Sequence, residues 1–258
     1  MNRRQWLGGV SSSFAVGTAG GVVAGGIGGA ALAYDPRSRL GRISYAQQGE
    51  DLVVRSLCEH LELALRTYLD IGANDPVIGS NTYLSYLDGA RGVLVEPNPL
   101  HCRRLRAVRP RDTVLEVGIG PREETSADYY LIGDANHDGG DCNTFSKEDA
   151  DRFVAQSKGR WRIMEVRKVP LVSVNRVMEE NFGGAPDLLS TDTEGLDFDI
   201  LRSLDFDRFR PAIVCAEVLA AGGRAESRIP ELMTTRGYSM RGSTWVNAIF
   251  VDDRRGTS

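Results

Sequence analysis

Between Thr67 and Asn74 the chain reads Thr-Tyr-Leu-Asp-Ile-Gly-Ala-Asn, an apolar run that carries one acid and passes straight into small residues. Such a segment predicts a buried strand followed by a turn with so little side chain that a ligand can approach the backbone at the carboxyl edge of a sheet. Asp70 and Asn74 can hydrogen-bond polar ligand groups beside Gly72 and Ala73. About twenty residues on, Arg91 to Asn98 forms a second apolar run ending in Glu96, where nucleotide-binding sheets place a carboxylate against a ribose diol. A buried strand and an ordinary turn account for the first segment alone; Glu96 at this distance favours a nucleotide-type cofactor site.

The rest of the chain alternates as an α/β protein does. A helix is expected from Glu50 to Leu65, with Leu52, Val53, Leu57, Leu61 and Leu65 at helical spacing. Strands are expected at Thr67–Ile71, Gly92–Glu96, Thr113–Val117, Leu188–Asp192 and Ala212–Glu217, separated by segments long enough for right-handed parallel crossovers. Gly237–Arg241 and Val246–Val251 lie too close together for a helix between them and predict an antiparallel hairpin at the sheet edge. An insertion between the third strand and the Leu188 strand interrupts the alternation; it carries Asn136 to Ser146, which reads as a lid or substrate loop, with Ser146 and Asp149 as a capping box that starts a helix near Lys147. Its His137 has no visible partner and reads as a solvated side chain.

Asp187 to Gly195 places Asp192 and Glu194 at the end of the fourth strand, and their spacing aims both toward one side of the sheet. Neighbouring carboxylates raise one another's pKa, which suits a general base or a divalent cation. The competing reading is that one of them compensates the dipole of the helix holding Phe198, Ile200, Leu201 and Leu204.

Residues 1–34 stand apart from this pattern. Arg3 and Arg4 precede an uncharged Gly- and Ala-rich run with Ala31-Leu32-Ala33 near its end, which reads as a twin-arginine signal or a membrane anchor. Residues 35–43 then form a linker, 44–253 the main domain and 254–258 a tail. With 41% hydrophobic and 26% charged residues the chain as a whole has the makeup of a soluble enzyme, and a net charge of −4 offers no general attraction to nucleic acid. The locally basic Arg103, Arg104, Arg106, Arg109 and Arg111 are expected on a solvated helix face. Cys58, Cys102, Cys142 and Cys215 lack paired spacing and read as reduced thiols, indicating neither zinc nor a disulfide framework.

Taken in order, Ser44 to Asp51, Asp70 to Asn74, Ser80 to Tyr83, Val95 to Pro99, Asn143 to Ser146 and Asp192 to Gly195 resemble the FkbM-type methyltransferase family over residues 43–252. The resemblance implies a Rossmann-like class I methyltransferase sheet of seven mostly parallel strands with a C-terminal antiparallel hairpin, and S-adenosylmethionine as cofactor. By the same resemblance, Asp70, Gly72 and Asn74 surround the methionine part, Glu96 takes the ribose hydroxyls and Gly118 lies near the adenine. Gln48, Glu50 and Asp51, with Asn81 and Asn143, line the cleft, while Asp192 and Glu194 stand by the sulfonium and the acceptor. Asp75-Pro76 departs from the family pattern, since many such turns carry a further glycine there.

The activity so implied is methylation of a hydroxyl on a sugar or other small-molecule acceptor, with Asp192 or Glu194 as base and no metal. Residues 1–34 bring the protein to a membrane, with the catalytic domain on the cytoplasmic side or, alternatively, exported. Two further readings are an NAD-dependent oxidoreductase, opposed by the missing Gly-x-Gly-x-x-Gly spacing and by Pro76, and a catalytically idle exported binding module.

Overall fold

In the computed structural model, which describes residues 42–120, 126–134, 142–220 and 224–255, the chain alternates helix and strand from Glu50 onward. Helix α1 (Glu50–His60) leads into β1 (Thr67–Ile71), followed by α2 (Tyr83–Leu87), β2 (Arg91–Val95), α3 (Pro99–Val108) and β3 (Thr113–Leu115). Next come β4 (Gly118–Ile119), β5 (Ser126–Gly133), α4 (Lys147–Gln156) and β6 (Arg162–Val172). Then α5 (Val174–Phe182), β7 (Leu188–Thr191), α6 (Asp197–Ser203) and β8 (Ile213–Glu217) complete the parallel part. A short antiparallel pair, β9 (Leu219–Ala220) and β10 (Arg224–Ala225), precedes α7 (Arg228–Thr235), β11 (Tyr238–Ser243) and β12 (Asn247–Asp252).

Seven strands form one sheet in the order β11-β12-β8-β7-β1-β2-β3, parallel except where β12 pairs with β8 and with β11. This is the architecture expected, with the hairpin at the edge. The chain builds from β1 outward to β3 in one direction and from β7 outward through β8 in the other. The switch point therefore lies between β1 and β7, where an open parallel sheet leaves a crevice at its carboxyl ends.

Period-two alternation assigns the two faces of the sheet. Leu69, Ile71, Val93, Leu189 and Val214 pack with Val177, Met178, Ile200 and Met233 from α5, α6 and α7. Tyr68, Leu94, Leu188, Ile213 and Ile249 pack on the opposite face with Val54, Tyr86 and Leu105. Helix starts follow side-chain chemistry: Asn98 accepts from Leu100 N at 3.0 Å ahead of Pro99, and Ser146 accepts from Asp149 N at 3.1 Å.

Four expectations need correction. Helix α1 stops at His60 rather than Leu65, because Glu62 takes a left-handed φ of 50° and turns the chain; Leu61, Leu63 and Leu65 still pack on the core from the connecting segment. The strand expected over Thr113–Val117 ends at Leu115, after which Gly118–Ile119 joins a second sheet, β4-β6-β5. Ser126–Gly133 and Arg162–Val172 form a long antiparallel pair in that second sheet where only an insertion was expected. Lastly, the arginine cluster is not uniformly solvated: Arg103, Arg104, Arg106 and Arg111 are exposed, whereas Arg109 is 0% exposed.

Among the described residues, no helix is long and apolar enough to cross a membrane. The run expected to meet a membrane, residues 1–34, lies outside the described residues, as does the loop segment 135–141 with His137.

Candidate active site

At the switch point a cavity of about 690 Å³ opens over the carboxyl ends of β1, β2 and β7. Its wall includes Asp70, Gly72, Asn74, Glu96, Gly118, Asn81, Asn143, Asp192 and Glu194, so the structure brings together nine of the twelve residues singled out from sequence.

Gly72 sits at φ 84°, and a Cβ built there would come within 1.9 Å of the Asp192 carbonyl oxygen. The glycine thus admits the β7 backbone rather than a ligand, locking the two strand ends together, with Asp192 N donating to Ile71 O at 3.0 Å. Asn74 follows at a left-handed φ of 46°, and its N–H donates to Glu96 Oε2 at 2.9 Å. Asn98 N donates to the other oxygen, Oε1, at 2.7 Å. Asp75 Oδ1 accepts from both Val77 N and Ile78 N at 2.9 Å, which shapes the turn where Pro76 has no N–H to offer.

Glu96 is 3% exposed, and its burial pushes the carboxyl up to about 7 despite the two backbone donors. A carboxylate has about four acceptor positions, and two are taken, one on each oxygen. The remaining pair suits two adjacent hydroxyls. On the same side, Phe145 occupies the space beside Gly118, where a Cβ would lie 2.4 Å from its Cζ, and the Tyr129 ring stands 4.6 Å from that of Phe145. This aromatic and glycine wall provides an apolar surface on the same cavity as the Glu96 carboxylate.

Asp70 lies in the floor of the cavity, 4% exposed. Its Oδ2 accepts the Thr82 hydroxyl at 2.5 Å, and the Thr82 oxygen accepts from Arg109 Nη2 at 3.0 Å. Burial raises the Asp70 pKa and the Arg109 guanidinium opposes that rise.

Asp192 and Glu194 both line the cavity, but strand alternation is not the cause: β7 ends at Thr191, and Glu194 turns with a left-handed φ of 54°. The acids in the first turn of α6 are Asp197 and Asp199, and Asp197 accepts Thr193 N at 3.2 Å and the Thr193 hydroxyl at 2.9 Å. Glu217, at the end of β8, accepts from the Glu194 backbone; burial, with the Asp192 carboxylate behind it, pushes it up to about 10. Burial beside Asp192 thus favours its protonated form.

Gln48, Glu50 and Asp51 do not line the cavity and correct the sequence expectation; Ser44 to Gln47 form that wall instead. The three support it from behind. Asp51 Oδ1 accepts the Ser44 hydroxyl at 2.6 Å and Oδ2 accepts Tyr45 N at 2.7 Å. Glu50 accepts Gln48 N at 2.8 Å, the Thr244 hydroxyl at 2.6 Å and Asn247 Nδ2 at 3.2 Å, while Gln48 Oε1 accepts Trp245 N at 2.9 Å. Sequence reading passed over Tyr129, Phe145 and Asn247 on the cavity wall, and Thr82 and Arg109 beneath it.

The chemistry of the lining fits a nucleoside bearing an amino-acid tail: acceptor positions for a diol at Glu96, an apolar surface at Gly118 and Phe145, and a buried carboxyl at Asp70. Asn81 Oδ1 and Asn143 Nδ2 are buried without a hydrogen-bond partner among the described residues, so the lining holds an acceptor and a donor suited to a ligand. No group of three or more His, Cys, Asp or Glu that could hold a metal occurs among the described residues.

The family model for the methyltransferase FkbM domain matches residues 70–240, and the chain belongs to this family of methyltransferases. No curated protein matches it. Among solved structures, it is similar to the methyltransferase FkbM from Methylobacillus flagellatus KT, with 14% identity and a TM-score of 0.42 over 72% of this chain and 43% of that one. An O-methyltransferase from Bacillus cereus in complex with SAH shows 12% identity and a TM-score of 0.43 over 86% and 89% of the two chains. A TehB-like SAM-dependent methyltransferase from Corynebacterium glutamicum shows 11% and 0.42 over 87% and 97%.

Proposed function

We propose that this protein transfers the methyl group of S-adenosylmethionine to a hydroxyl of a sugar or another small-molecule acceptor. Methyl transfer follows from the family, and S-adenosylmethionine is its cofactor. The observation that carries the cofactor's placement is Glu96, a buried carboxylate with one backbone N–H on each oxygen and its remaining acceptor positions available to a diol. The dinucleotide alternative loses support, because the first helix after β1 begins only at Tyr83 and no helix N-terminus meets the Gly72 turn.

When bound, the cofactor supplies an already activated methyl group, whose transfer needs alignment and removal of the acceptor proton. Glu96 holds the ribose, and Asp70 provides the counter-charge for the cationic tail. The ligand thus runs along the β1 to β3 half of the sheet, which leaves the β7 side, with Asp192 and Glu194, for the acceptor. A carboxylate oxygen there would take up the hydroxyl proton, while the methyl carbon would exchange its bond to the sulfonium sulfur for one to the acceptor oxygen, the sulfur leaving as the neutral thioether of S-adenosylhomocysteine. Because that carboxylate takes up a proton, the arrangement favours a hydroxyl over an acceptor that has no proton to lose.

The test is incubation with methyl-labelled S-adenosylmethionine and a panel of sugars and phenols, followed by mass analysis of the product. A methyl ether is expected; label found only on nitrogen, sulfur or carbon acceptors would overturn the hydroxyl assignment.

A further inference from the structure

Arg109 is fully buried, and two of its acceptors lead to the cavity: Ser80 lines it, and Thr82 bonds Asp70, which lines it as well. It sits just past the end of α3, at 0% exposure, and donates through every arm of its guanidinium. Nε reaches Asp112 Oδ2 at 2.8 Å, Nη1 reaches Ser80 Oγ at 3.2 Å, and Nη2 reaches Tyr68 OH at 2.9 Å and Thr82 Oγ1 at 3.0 Å. Thr82, itself 0% exposed, spends its single proton on Asp70 Oδ2 at 2.5 Å.

We propose that Arg109 and Thr82 are positioning residues for the cofactor's amino-acid moiety: Arg109, acting through the Thr82 hydroxyl, fixes the Asp70 carboxylate as the anchor for the ligand's α-ammonium group. The inference rests on reading the cavity as the S-adenosylmethionine site. Two features of the network carry it.

The first is directionality. Because Arg109 has only donors, the Thr82 oxygen must accept from it, which leaves the Thr82 hydroxyl proton pointing at Asp70. One carboxylate oxygen is thereby pinned. A threonine hydroxyl without the arginine could rotate, leaving the Asp70 carboxyl with the Ser190 hydroxyl alone.

The second is charge. Arg109 faces two acids, Asp112 and Asp70, in a region sealed from solvent. Asp112 is fully engaged, accepting from Arg109, from the Tyr68 hydroxyl at 2.6 and 2.8 Å on its two oxygens, and from Gly92 N at 2.8 Å. With one cation against two carboxyl groups, the buried set lacks the positive charge to hold both ionised, and burial accordingly raises the Asp70 carboxyl above its ordinary range. Asp70 is the member of that set on the cavity wall, and it has Glu96 as a further acidic neighbour. A ligand cation placed there balances the set, and a neutral ligand does not.

The experiment is calorimetric titration of the full chain and its Thr82→Val and Thr82→Ser variants with two ligands, S-adenosylhomocysteine and methylthioadenosine, which keeps the nucleoside and lacks the amino-acid tail. Thr82→Val removes the relay while leaving Arg109 its bonds to Tyr68, Ser80 and Asp112. It should weaken S-adenosylhomocysteine binding by about tenfold or more and leave methylthioadenosine binding unchanged, with Thr82→Ser restoring the parent value. Equal losses for both ligands, or no loss for either, would overturn the proposal, the first showing a purely structural role. A parent chain that binds neither ligand would instead overturn the cofactor reading on which it rests.

Discussion

Asp192→Asn is expected to lower methyl-transfer turnover by roughly 10²- to 10⁴-fold, the range a positioned general base contributes, while leaving cofactor affinity nearly unchanged. The asparagine keeps the size of the side chain and removes its capacity to take up the acceptor proton. Asp192 follows directly on β7 at the switch point, its main chain locked to the Gly72 turn, so it is held between the proposed cofactor and acceptor sides of the cavity. If the residue served the dipole of α6 instead, the same substitution would cost about 1 kcal/mol of stability and leave turnover intact. The arrangement speaks for the base, because Asp197, not Asp192, takes the donors of Thr193 at that helix start. Steady-state kinetics with thermal melting of the same samples separates the two outcomes.

Glu96→Ala is expected to weaken binding of S-adenosylhomocysteine by about 10- to 150-fold, since hydrogen bonds to a charged group contribute roughly 1.5–3 kcal/mol. The pH dependence gives a sharper form of this prediction. Burial raises the Glu96 carboxyl from its ordinary 4.5 to about 7, so the free fold favours the protonated form, and that contribution to stability is lost as pH rises from the lower value through the upper. Ribose hydroxyls donate to the ionised form. Affinity of the parent protein should therefore increase as pH rises through about 7 and level off above it, whereas Glu96→Gln should lose less affinity than the alanine variant at low pH and show a flatter profile. Titrations at several pH values check both statements, and an alanine variant that binds as tightly as the parent would show that the ribose lies elsewhere.

The parallel core was legible in the sequence because strands buried on both faces read as near-continuous apolar runs, as Thr67–Ile71, Arg91–Val95 and Ile213–Glu217 do. The β5 and β6 pair was not, for the opposite reason. Most of Arg162–Val172 is exposed or half-buried, it mixes charges with apolar residues and it contains Pro170, so neither a run nor a clean alternation marks it. Glu96 and Asp70 announced themselves as acids in apolar strands. Arg109 could not, because its neighbours Arg103, Arg104 and Arg106 are solvated and, apart from Asp112 three residues on, its partners Tyr68, Ser80 and Thr82 lie far away in sequence. Gln48, Glu50 and Asp51 were found as a motif and misplaced by role, since a polar cluster beside a cleft reads the same from sequence whether it lines the wall or braces it.

The central claim is that the cavity over β1, β2 and β7 holds an S-adenosyl nucleoside with its ribose on Glu96. The direct measurement is calorimetric titration of the purified protein with S-adenosylhomocysteine at about pH 8, with NAD as the control ligand. One-site binding at micromolar level or tighter, with NAD inert, is the predicted result. Binding of NAD without binding of S-adenosylhomocysteine, or binding of neither, would contradict it.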